Sequence, residues 1–526
     1  MRRAGRLLIA LAALLPSIAL AADIEKECGS PSRRQLQAVV EFLADDLLEG
    51  RAPGTPGGRL AENYIRSLFK LIGLEPGSQN GFLQPFAIRG FTTRELMLSD
   101  GRETLRQPAD LVGSYTREES QFDLEAETVF VGFGIRTPIL AWDDFKQADL
   151  RGKLLIVRAN EPGLFRPKLA KGKGMSFFGR WSYKVEEAIR CGAAGLLIIH
   201  TDQTAGYGWS VVQNSWSGEE IYLPADIENP LRFRGWISET GLRRLLANRH
   251  IDLEGLYRRS LQKRFRPVEL GFRMHLSGKN AGRALQANNV VGMIPGRSDR
   301  QIVISAHLDH LGRNRELPGD QIFNGAIDNA APLAALIGLA RQLHECRSDP
   351  YYSFVFLACN AEEAGLLGSK YFVLNADRRR IIANVNFEST PVWGPSRDIF
   401  GIGAHYSTFE ELLKQIAAAE GWEYGDFSIA AAQGFFYRSD QFPFARCNIP
   451  AIWISAGEHL ISGRNELAPF FRGGNYHTVR DEYNPDWEMA GLLQTIRLTR
   501  LLVERIDQNR QPPRWTGPLP FPLYGD

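Results

Sequence analysis

Imidazole and carboxylate side chains adjoin several apolar stretches in the second half of this chain. His307 and Asp309 end one such stretch, Asp328 opens another, and Glu362 and Glu363 follow a third. In open α/β sheets, sites form where the carboxyl ends of the strands meet the following loops. We therefore expect these side chains to meet at one edge of a sheet, and their types predict a metal site.

Two further candidates lie downstream of this group. Glu388 ends the apolar stretch 383–388, and His477 lies in the sequence Asn-Tyr-His-Thr. Two imidazoles and three carboxylates suit a pair of Zn²⁺ ions and leave coordination positions open for water and substrate. Two such ions about 3.5–4 Å apart activate water and stabilise a tetrahedral oxyanion. The pattern indicates a hydrolytic centre with two zinc ions per chain.

The spacing suggests separate tasks for these side chains. His307 and Asp309 are two residues apart at a strand end, so their side chains share a face, and one can fix the imidazole tautomer of the other. Asp328 begins a predicted helix, whose dipole favours a carboxylate there and allows it to bridge two cations. Because Glu362 and Glu363 are adjacent, their side chains diverge: one can bind metal while the other moves protons.

Each feature alone has an ordinary structural explanation. Asp328 alone is most often a helix N-cap, and two adjacent glutamates are common at a helix start. The concentration of such features within residues 301–368, each at a junction of strand and loop, favours a functional site over these separate explanations.

The first 21 residues have the features of a secretory signal peptide. Arg2, Arg3 and Arg6 precede the apolar stretch 7–20, and small residues for cleavage follow. No later stretch reaches about 18 apolar residues, so no membrane span is expected after cleavage. The sequence therefore predicts a periplasmic or secreted protein.

Net charge and cysteine content limit the class of protein further. Removal of three arginines with the signal peptide would change the formal net charge from +2 to about −1, which gives no reason to expect nucleic acid or an anionic membrane as partner. The cysteines are too few and too scattered for a disulfide framework. One disulfide is compatible with the sequence, but its pairing and the oligomeric state stay open.

A chain of 526 residues allows two to four domains of about 100–200 residues each. Strands alternate with helices, which predicts an α/β fold with a mixed sheet and helices on both faces, interrupted by a smaller α/β insert. The predicted organisation is a signal peptide (1–21), the first part of a main domain (35–110), an insert (111–265), the second part of the main domain (266–507) and a Pro-rich tail (508–526).

Within the insert, the residue pattern predicts a small α/β unit. Strands are expected over 128–134, 153–158 and 195–200, with a helix over 183–190. Residues 168–178 are rich in glycine and lysine and predict an exposed loop, since the spacing of a phosphate-binding P-loop is absent. The Arg-rich residues 231–264 predict a solvated helical face.

Motifs in both parts of the main domain, over about 35–110 and 266–505, resemble those of the M28 family of zinc peptidases, whose members include dinuclear aminopeptidases. The insert resembles a protease-associated (PA) domain. The matching blocks keep the order of that family, and they are LADDLLEGRAPGTPGG (43–58), AHLDHLG (306–312), GAIDNA (325–330), NAEEAGLLGS (360–369), ANVNFE (383–388), RSDQFPFA (438–445) and NYHTVRDEY (475–483).

This resemblance implies a role for each candidate side chain. One zinc ion would take His307 and Glu388, and Asp328 would bridge it to the second ion. The ligands of the second ion would be Glu363 and His477. Glu362 would be the general base that takes a proton from water and passes it to the leaving amine. Asp309 would orient His307.

Two positions depart from the family pattern. Glu388 stands where the family usually has aspartate, and its longer side chain alters the reach towards the metal. Gln441 replaces a usual histidine, which puts its contacts with substrate or ligands in question, while Asp440 can still support the site.

The function expected from the resemblance is a secreted zinc aminopeptidase acting on peptides. Three alternatives remain open, namely a carboxypeptidase, a glutaminyl cyclase with a single zinc ion, and a metal-poor receptor or binding protein on the same fold. The residues 435–437 are candidates for an apolar substrate pocket, although core packing is the commoner reason for such residues. The sequence leaves side-chain specificity and the role of the insert undetermined.

Overall fold

A computed structural model describes residues 27–169, 174–346, 349–471 and 474–525. The predicted signal peptide lies outside these residues. The chain forms two compact units. The first consists of residues up to 86, 286–430 and 438–526, and the second consists of residues 87–285 and 431–437. The predicted boundaries at 111 and 265 therefore lie inside the second unit, and its likeness to a PA domain stays a prediction.

The first unit is built on a mixed β-sheet, which confirms the predicted α/β class. Its central strands run parallel, and antiparallel strands follow towards both edges. In order across the sheet these strands are Glu423–Gly425, Asp398–Ile402, Ala451–Ala456, Ile381–Asn386, Gln301–His307, Ser353–Cys359, residues 290–294 of the long strand Val268–Ile294, and Glu75–Pro76.

Three parallel strands at the centre of this sheet determine where the site forms. Gln301–His307 lies between Ser353–Cys359 and Ile381–Asn386, in register so that His307 is level with Cys359. Nearly every residue of the three is buried, as expected for parallel strands with both faces covered. Their carboxyl ends lie side by side, so the loops that follow them meet at one edge of the sheet.

Helices of the first unit follow the apolar periodicity of the sequence. Apolar residues recur at helical spacing over 60–72, 332–343, 409–420 and 487–507, and each of these stretches contributes to a helix, with boundaries shifted by a few residues at most sites. The helices are Arg33–Leu43, Pro56–Ile72, Ala331–Cys346, Leu367–Asn375, Phe409–Glu420, Gln441–Arg446, Leu467–Phe471 and Ala490–Asn509.

The apolar residues between Leu36 and Leu48 recur at helical spacing, but the first helix does not include all of them. Ser32 caps its start in a reciprocal pair with Gln35, and the helix ends at Leu43, not at Leu48. A separate 3₁₀ turn covers Asp46–Arg51, in which Gly50 has φ of 71°. A side chain at Gly50 would collide with two backbone oxygens, because its Cβ would lie 2.4 Å from the oxygen of Gly312. This close approach requires glycine.

The second unit contains a sheet of mainly parallel strands flanked by helices. The predicted strand 195–200 is present as Gly195–His200, and the predicted helix is Trp181–Arg190. The sheet order is residues 268–279 of the long strand, Gln121–Phe130, Leu154–Arg158, Gly195–His200, Phe233–Ser238 and Leu111–Tyr115. Further strands are Leu83–Ser99, Thr104–Arg106, Arg136–Thr137, Trp142–Asp143 and Glu219–Tyr222, and the other helices are Pro162–Phe165, Asp202–Ala205, Trp209–Trp216, Glu239–Ala247, Leu253–Ser260 and Ala430–Gln433.

Two predictions for this unit are wrong. Residues 231–264 are not simply a solvated helical face, because Phe233–Ser238 is a buried strand whose apolar side chains join the core, and only some of the arginines lie on the two helices that follow. Residues 168–178 are not wholly exposed, since Phe177 and Phe178 are buried. Tyr437 packs 6.1 Å from the Phe177 ring within the same unit, which supports core packing for residues 435–437.

Cys28 and Cys346 form a disulfide bond in the first unit. The remaining cysteines are free thiols: Cys359 is buried as expected, whereas Cys191 is only half-buried. Among the residues that the structure describes, no helix is both long enough and apolar enough to cross a membrane.

Candidate metal centre

The predicted ligands lie together at the carboxyl edge of the first unit's sheet. His307 ends its strand, and Glu388 follows the strand Ile381–Asn386 by two residues. Glu363 lies in the loop after Ser353–Cys359. His477 has φ of 55°, a left-handed conformation that costs a non-glycine residue about 1–2 kcal/mol. The chain thus accepts local strain where it directs a ligand into the site.

Asp328 does not begin a regular helix, contrary to the prediction. It lies in a π-type turn, Ala326–Ala330, with non-helical φ and ψ of −111° and 82°, and the bond to Asn329 is a cis peptide. The regular helix begins only at Ala331. The Asp328 backbone N–H donates to the Asp481 carboxylate at 3.0 Å. Its carboxylate is therefore oriented by this turn, and a helix dipole is not needed to explain its position.

Asp328 lies between the two imidazoles with one oxygen directed at each. Its Oδ1 is 3.2 Å from Nε2 of His307, and its Oδ2 is 3.3 Å from Nε2 of His477. His307 Nε2 is also 3.2 Å from Oε1 of Glu388, and His477 Nε2 is 3.1 Å from Oε2 of Glu363. All five predicted ligands therefore converge, in two sets that share Asp328.

These separations fit a pair of metal ions. Donors bound tetrahedrally to Zn²⁺ at about 2.0–2.1 Å lie about 3.3 Å from one another, which matches the separations of 3.1–3.3 Å within each set. His307, Asp328 and Glu388 could hold one ion, and Asp328, Glu363 and His477 could hold the other. The extra length of Glu388 relative to aspartate leaves its oxygen at ligand spacing.

Asp309 acts on the site mainly through the backbone. Nδ1 of His307 lies 3.0 Å from the backbone carbonyl of Asp309, which fixes the tautomer with Nε2 directed at the metal position. The Asp309 carboxylate is farther away, at 3.9 Å from the same nitrogen. It accepts the N–H groups of Glu362 and Glu363 at 3.0 and 3.3 Å. Asp309 thus orients the imidazole with one group and positions the two glutamates with another.

The Glu362 carboxylate lies beside the candidate ligands but forms no hydrogen bond with them. Its oxygen is within 4.8 Å of ligand atoms of His307 and Glu388. Among the described residues, no hydrogen bond to this carboxylate is formed, although the residue is only 8% exposed. Burial and the charges of Glu388 and Glu363 raise its pKa well above the ordinary value, and His307 only partly opposes them. A buried carboxylate with raised pKa suits proton transfer.

His310 is a site residue whose role sequence reasoning missed. Its Nδ1 lies 2.7 Å from Oε1 of Glu363, and its ligand atoms lie close enough to those of Asp328 and Glu363 to form a second possible donor group. The motif AHLDHLG contained the signal, because a second histidine follows His307 three residues later. We interpret His310 as the residue that orients Glu363, since its ring contacts that carboxylate at hydrogen-bond distance.

The contacts of Glu388 and Gln441, the two departures from the family pattern, explain how the fold accommodates them. Ser439 donates its hydroxyl to Oε2 of Glu388 at 2.6 Å, which holds the longer side chain in place. Gln441 is fully buried and accepts a hydrogen bond from Asn386 at 3.1 Å. The side chain that replaces histidine therefore joins a buried polar network beside the strand Ile381–Asn386.

Arg51 and Asp481 are supports that sequence reasoning also missed. Arg51 is fully buried and donates to the carbonyls of Leu308 and Gly325 at 2.9 and 3.0 Å. Asp481 accepts the N–H groups of Ile327 and Asp328 at 2.9 and 3.0 Å. These buried groups fix the loops on which the ligands stand. Arg51 lies in the segment 43–58 that carries the N-terminal motif, but its type alone does not reveal such a contact.

The charges of the cluster act strongly on one another. Burial lowers the pKa of His477, but Glu363 and Asp328 outweigh it and raise the pKa to about 9. Burial raises the pKa of Glu363, but His477 and His310 outweigh it and lower the pKa to about 2. For His307, burial is likewise outweighed by Glu388 and other carboxylates, so its pKa lies well above the ordinary value. Carboxylates dominate this centre, which favours cations.

Comparisons with known proteins agree with this site. Residues 289–499 match the model of peptidase family M28, and no curated protein matches the chain. The solved aminopeptidase from Aneurinibacillus sp. strain AM-1 is similar in fold, with a TM-score of 0.55, 19% identity, and coverage of 94% of this chain and 98% of that one.

Two further solved structures are similar over most of their length. BSAP, a zinc aminopeptidase from Bacillus subtilis, has a TM-score of 0.49 and 17% identity, with 94% of this chain and 98% of that one covered. A peptidase M28 precursor from Shewanella amazonensis SB2B has a TM-score of 0.48 and 14% identity, with 98% and 99% covered. Residues 289–499, which carry every candidate metal ligand, are thus similar to peptidase family M28.

Proposed function

We propose that this chain is an exported aminopeptidase with two zinc ions, in which Glu362 is the general base. One observation carries the proposal. A buried carboxylate that makes no hydrogen bond with the described residues lies within 4.8 Å of ligand atoms of His307 and Glu388. A metal-poor binding protein would not need this arrangement, and every predicted donor position keeps a donor group.

Zinc would supply Lewis acidity and lower the pKa of bound water towards neutrality. His307 and Glu388 would hold one ion, Glu363 and His477 the other, and Asp328 would bridge them. The protein groups set the geometry in advance, because Ser439 fixes Glu388 and His310 fixes Glu363. Such hydrogen bonds orient ligands and typically contribute 10- to 100-fold in metal affinity or activity.

Glu362 has the position and the proton affinity for general acid–base work. It accepts a proton from the attacking water and then donates it to the nitrogen of the leaving amine. Its raised pKa allows it to hold that proton between the two steps. The N–H of Glu362 is anchored to Asp309 at 3.0 Å, so its backbone stays fixed while its carboxylate moves.

Action on N-termini is supported by the similar structures, two of which are named aminopeptidases. Export is supported by the N-terminal pattern of residues 1–21 and by the disulfide between Cys28 and Cys346. Disulfides persist in oxidising compartments such as the periplasm and are rare in the cytosol.

The deciding experiment is a substrate panel on purified, zinc-loaded protein. Leucine p-nitroanilide, a dipeptide, an N-acetylated dipeptide and a peptide with N-terminal glutamine are incubated with and without chelator. We expect hydrolysis of the first two, no hydrolysis of the acetylated peptide and loss of activity with chelator. Elemental analysis should give two zinc ions per chain.

Glu362→Gln tests the mechanism, with the exposed Glu316→Gln as matched control. The first change should lower kcat by at least about 10³-fold while zinc content stays unchanged, since general-base groups contribute about 10²–10⁴-fold. The control should keep full activity. Full activity of Glu362→Gln, cyclisation of the glutamine peptide alone, or cleavage from the C-terminus would each overturn the proposal.

A further inference from the structure

The second unit contains a cavity of about 370 Å³ that the proposed catalysis does not use. Pockets of about 300–1,000 Å³ hold small ligands in proteins. The cavity opens between the strands Leu154–Arg158 and Gly195–His200 and the helix Leu253–Ser260. Its walls combine apolar, hydroxyl, amide and charged groups, and the lining residues on which the argument depends are Arg158, Phe165, Thr201, Gln203, Glu239 and Glu254.

Arg158 is the central feature of this cavity. The residue is only 6% exposed. Its guanidinium lies 4.2 Å from the ring centroid of Phe165, 4.3 Å from that of Tyr257 and 4.6 Å from that of Phe133. One terminal nitrogen donates to the Ser260 hydroxyl at 3.0 Å. Three rings and one hydrogen bond therefore hold the guanidinium in one orientation.

Within the described ranges, no carboxylate forms an ion pair with Arg158, although the charges of Glu239, Glu254 and Asp144 act on it from farther away. Its hydrogen bonds to the Tyr257 carbonyl and the Ser260 hydroxyl both involve the same terminal nitrogen. Buried charges in proteins are normally paired, because removing a charge from water without a partner is costly. Burial accordingly lowers the pKa of Arg158 to about 10. The remaining donors of the guanidinium have no hydrogen-bond partner among the described residues, and Arg158 lines the cavity.

The acidic residues of the cavity wall are already engaged elsewhere. Arg243 binds Glu239 at 3.2 Å and Glu254 at 2.6 Å, which neutralises part of their charge. Arg258, which also lines the cavity, pairs with Asp252 at 3.2 Å. Arg158 is thus the charged residue of the cavity wall that forms no ion pair among the described residues.

We propose that this cavity binds the carboxylate group of a small molecule or peptide, with Arg158 as its counter-ion. The planar guanidinium matches a carboxylate in a two-point arrangement. The Thr201 and Gln203 side chains lie on the same wall and can bind further oxygens, while Phe165 offers an apolar surface for the rest of the ligand. The carboxylate can belong to a free amino acid, to the C-terminus of a peptide or to an acidic side chain.

The test measures binding to the full-length protein by calorimetry. The probes are N-acetyl-leucine, N-acetyl-leucine amide, free leucine, N-acetyl-glutamic acid α-amide and inorganic phosphate. We expect the acetylated acid to bind and its amide to bind at least about 10-fold more weakly, since hydrogen bonds to charged groups contribute about 1.5–3 kcal/mol, or 10- to 100-fold. Comparison of the acids distinguishes an α-carboxylate from a side-chain carboxylate.

Variants separate this cavity from the metal centre, which also attracts carboxylates. Arg158→Met should weaken binding of N-acetyl-leucine at least about 10-fold. The matched control Arg273→Met removes an exposed arginine of the same unit outside the cavity and should leave binding unchanged. Gln203→Trp narrows the cavity while Arg158 stays in place, so it should also weaken binding even if Arg158→Met folds poorly.

Several outcomes would overturn the proposal. These are equal binding of the acid and its amide, unchanged binding by both cavity variants, binding of phosphate alone, or no binding of any acid at about 10 mM, which corresponds to less than about 2.7 kcal/mol. Circular dichroism and thermal unfolding of each variant establish that a loss of binding does not reflect a loss of fold.

Discussion

Replacement of Arg51 by methionine should weaken both the fold and the metal centre. The four carbonyl groups that receive its hydrogen bonds belong to Leu308, Leu43, Asn324 and Gly325. Two of these stand directly beside the ligand-bearing segments, so the guanidinium ties the loops before Asp309 and Asp328 to the N-terminal turn.

The expected magnitude follows from opposing terms. Each hydrogen bond from a charged donor contributes about 1.5–3 kcal/mol, so four bonds contribute about 6–12 kcal/mol. Removing the cation also removes its burial cost of several kcal/mol, a cost that lowers the pKa of Arg51 to about 10. Methionine keeps most of the volume. We therefore expect a net loss of about 3–5 kcal/mol in the free energy of unfolding.

Two measurements test this reasoning together. Urea unfolding gives the loss of stability, and competition with a chromophoric chelator gives zinc affinity, which we expect to fall at least about 10-fold. The exposed Arg34→Met is the matched control and should change neither quantity. If Arg51→Met lost less than about 1 kcal/mol in the free energy of unfolding and bound zinc like the native protein, Arg51 would not hold the ligand-bearing loops in place.

Three further predictions concern other parts of the molecule. Ser439→Ala removes the hydrogen bond to Glu388 and should lower zinc affinity about 10- to 100-fold in a chelator competition. Replacing Cys28 and Cys346 by serine opens a loop of 318 residues and should lower the free energy of unfolding by about 4–5 kcal/mol in urea. Burial lowers the pKa of Lys184 to about 7. Because unfolding restores the ordinary pKa of about 10.4, unfolding takes up a proton between these values, and stability should rise from about pH 7 to about pH 10.

Each prediction has a control and a contradicting result. Ser67→Ala, on an exposed helix face, should leave zinc affinity unchanged, and equal affinity of both serine variants would refute the first. Thiol titration under denaturing conditions should find the free cysteines only, and two additional thiols would refute the disulfide. Lys184→Met should flatten the rise in stability with pH, whereas the exposed Lys279→Met should retain it; an unchanged slope in Lys184→Met would contradict the shift.

Sequence reasoning reaches those features of this protein that have a local cause. The strand Gly195–His200 and the helix Phe409–Glu420 occur where apolar periodicity places them. The convergence of His307, Glu363 and His477 follows from the rule that loops after neighbouring parallel strands share an edge. A long apolar strand and an amphipathic helix can each be recognised from the pattern of their own residues.

Features with a non-local cause escape such reasoning. The left-handed turn at Gly50, beyond the end of the first helix, requires glycine because of oxygens more than 260 residues away in sequence. Arg51 looks like an ordinary surface cation until its carbonyl partners are known. The conformation of Asp328 depends on Asp481, which lies 153 residues later. Charge and type alone cannot distinguish a buried support from a solvated side chain.

The shared position of Asp328 has a consequence for loading of the centre. If two ions bind as proposed, each oxygen of the Asp328 carboxylate would take a different cation, so the first ion to bind would immobilise the side chain and neutralise part of its charge. The entropy of that rotamer would be lost once, whereas electrostatic repulsion between the ions would arise only with the second. Uptake of the two ions would then be a single linked equilibrium, which no pair of independent dissociation constants describes.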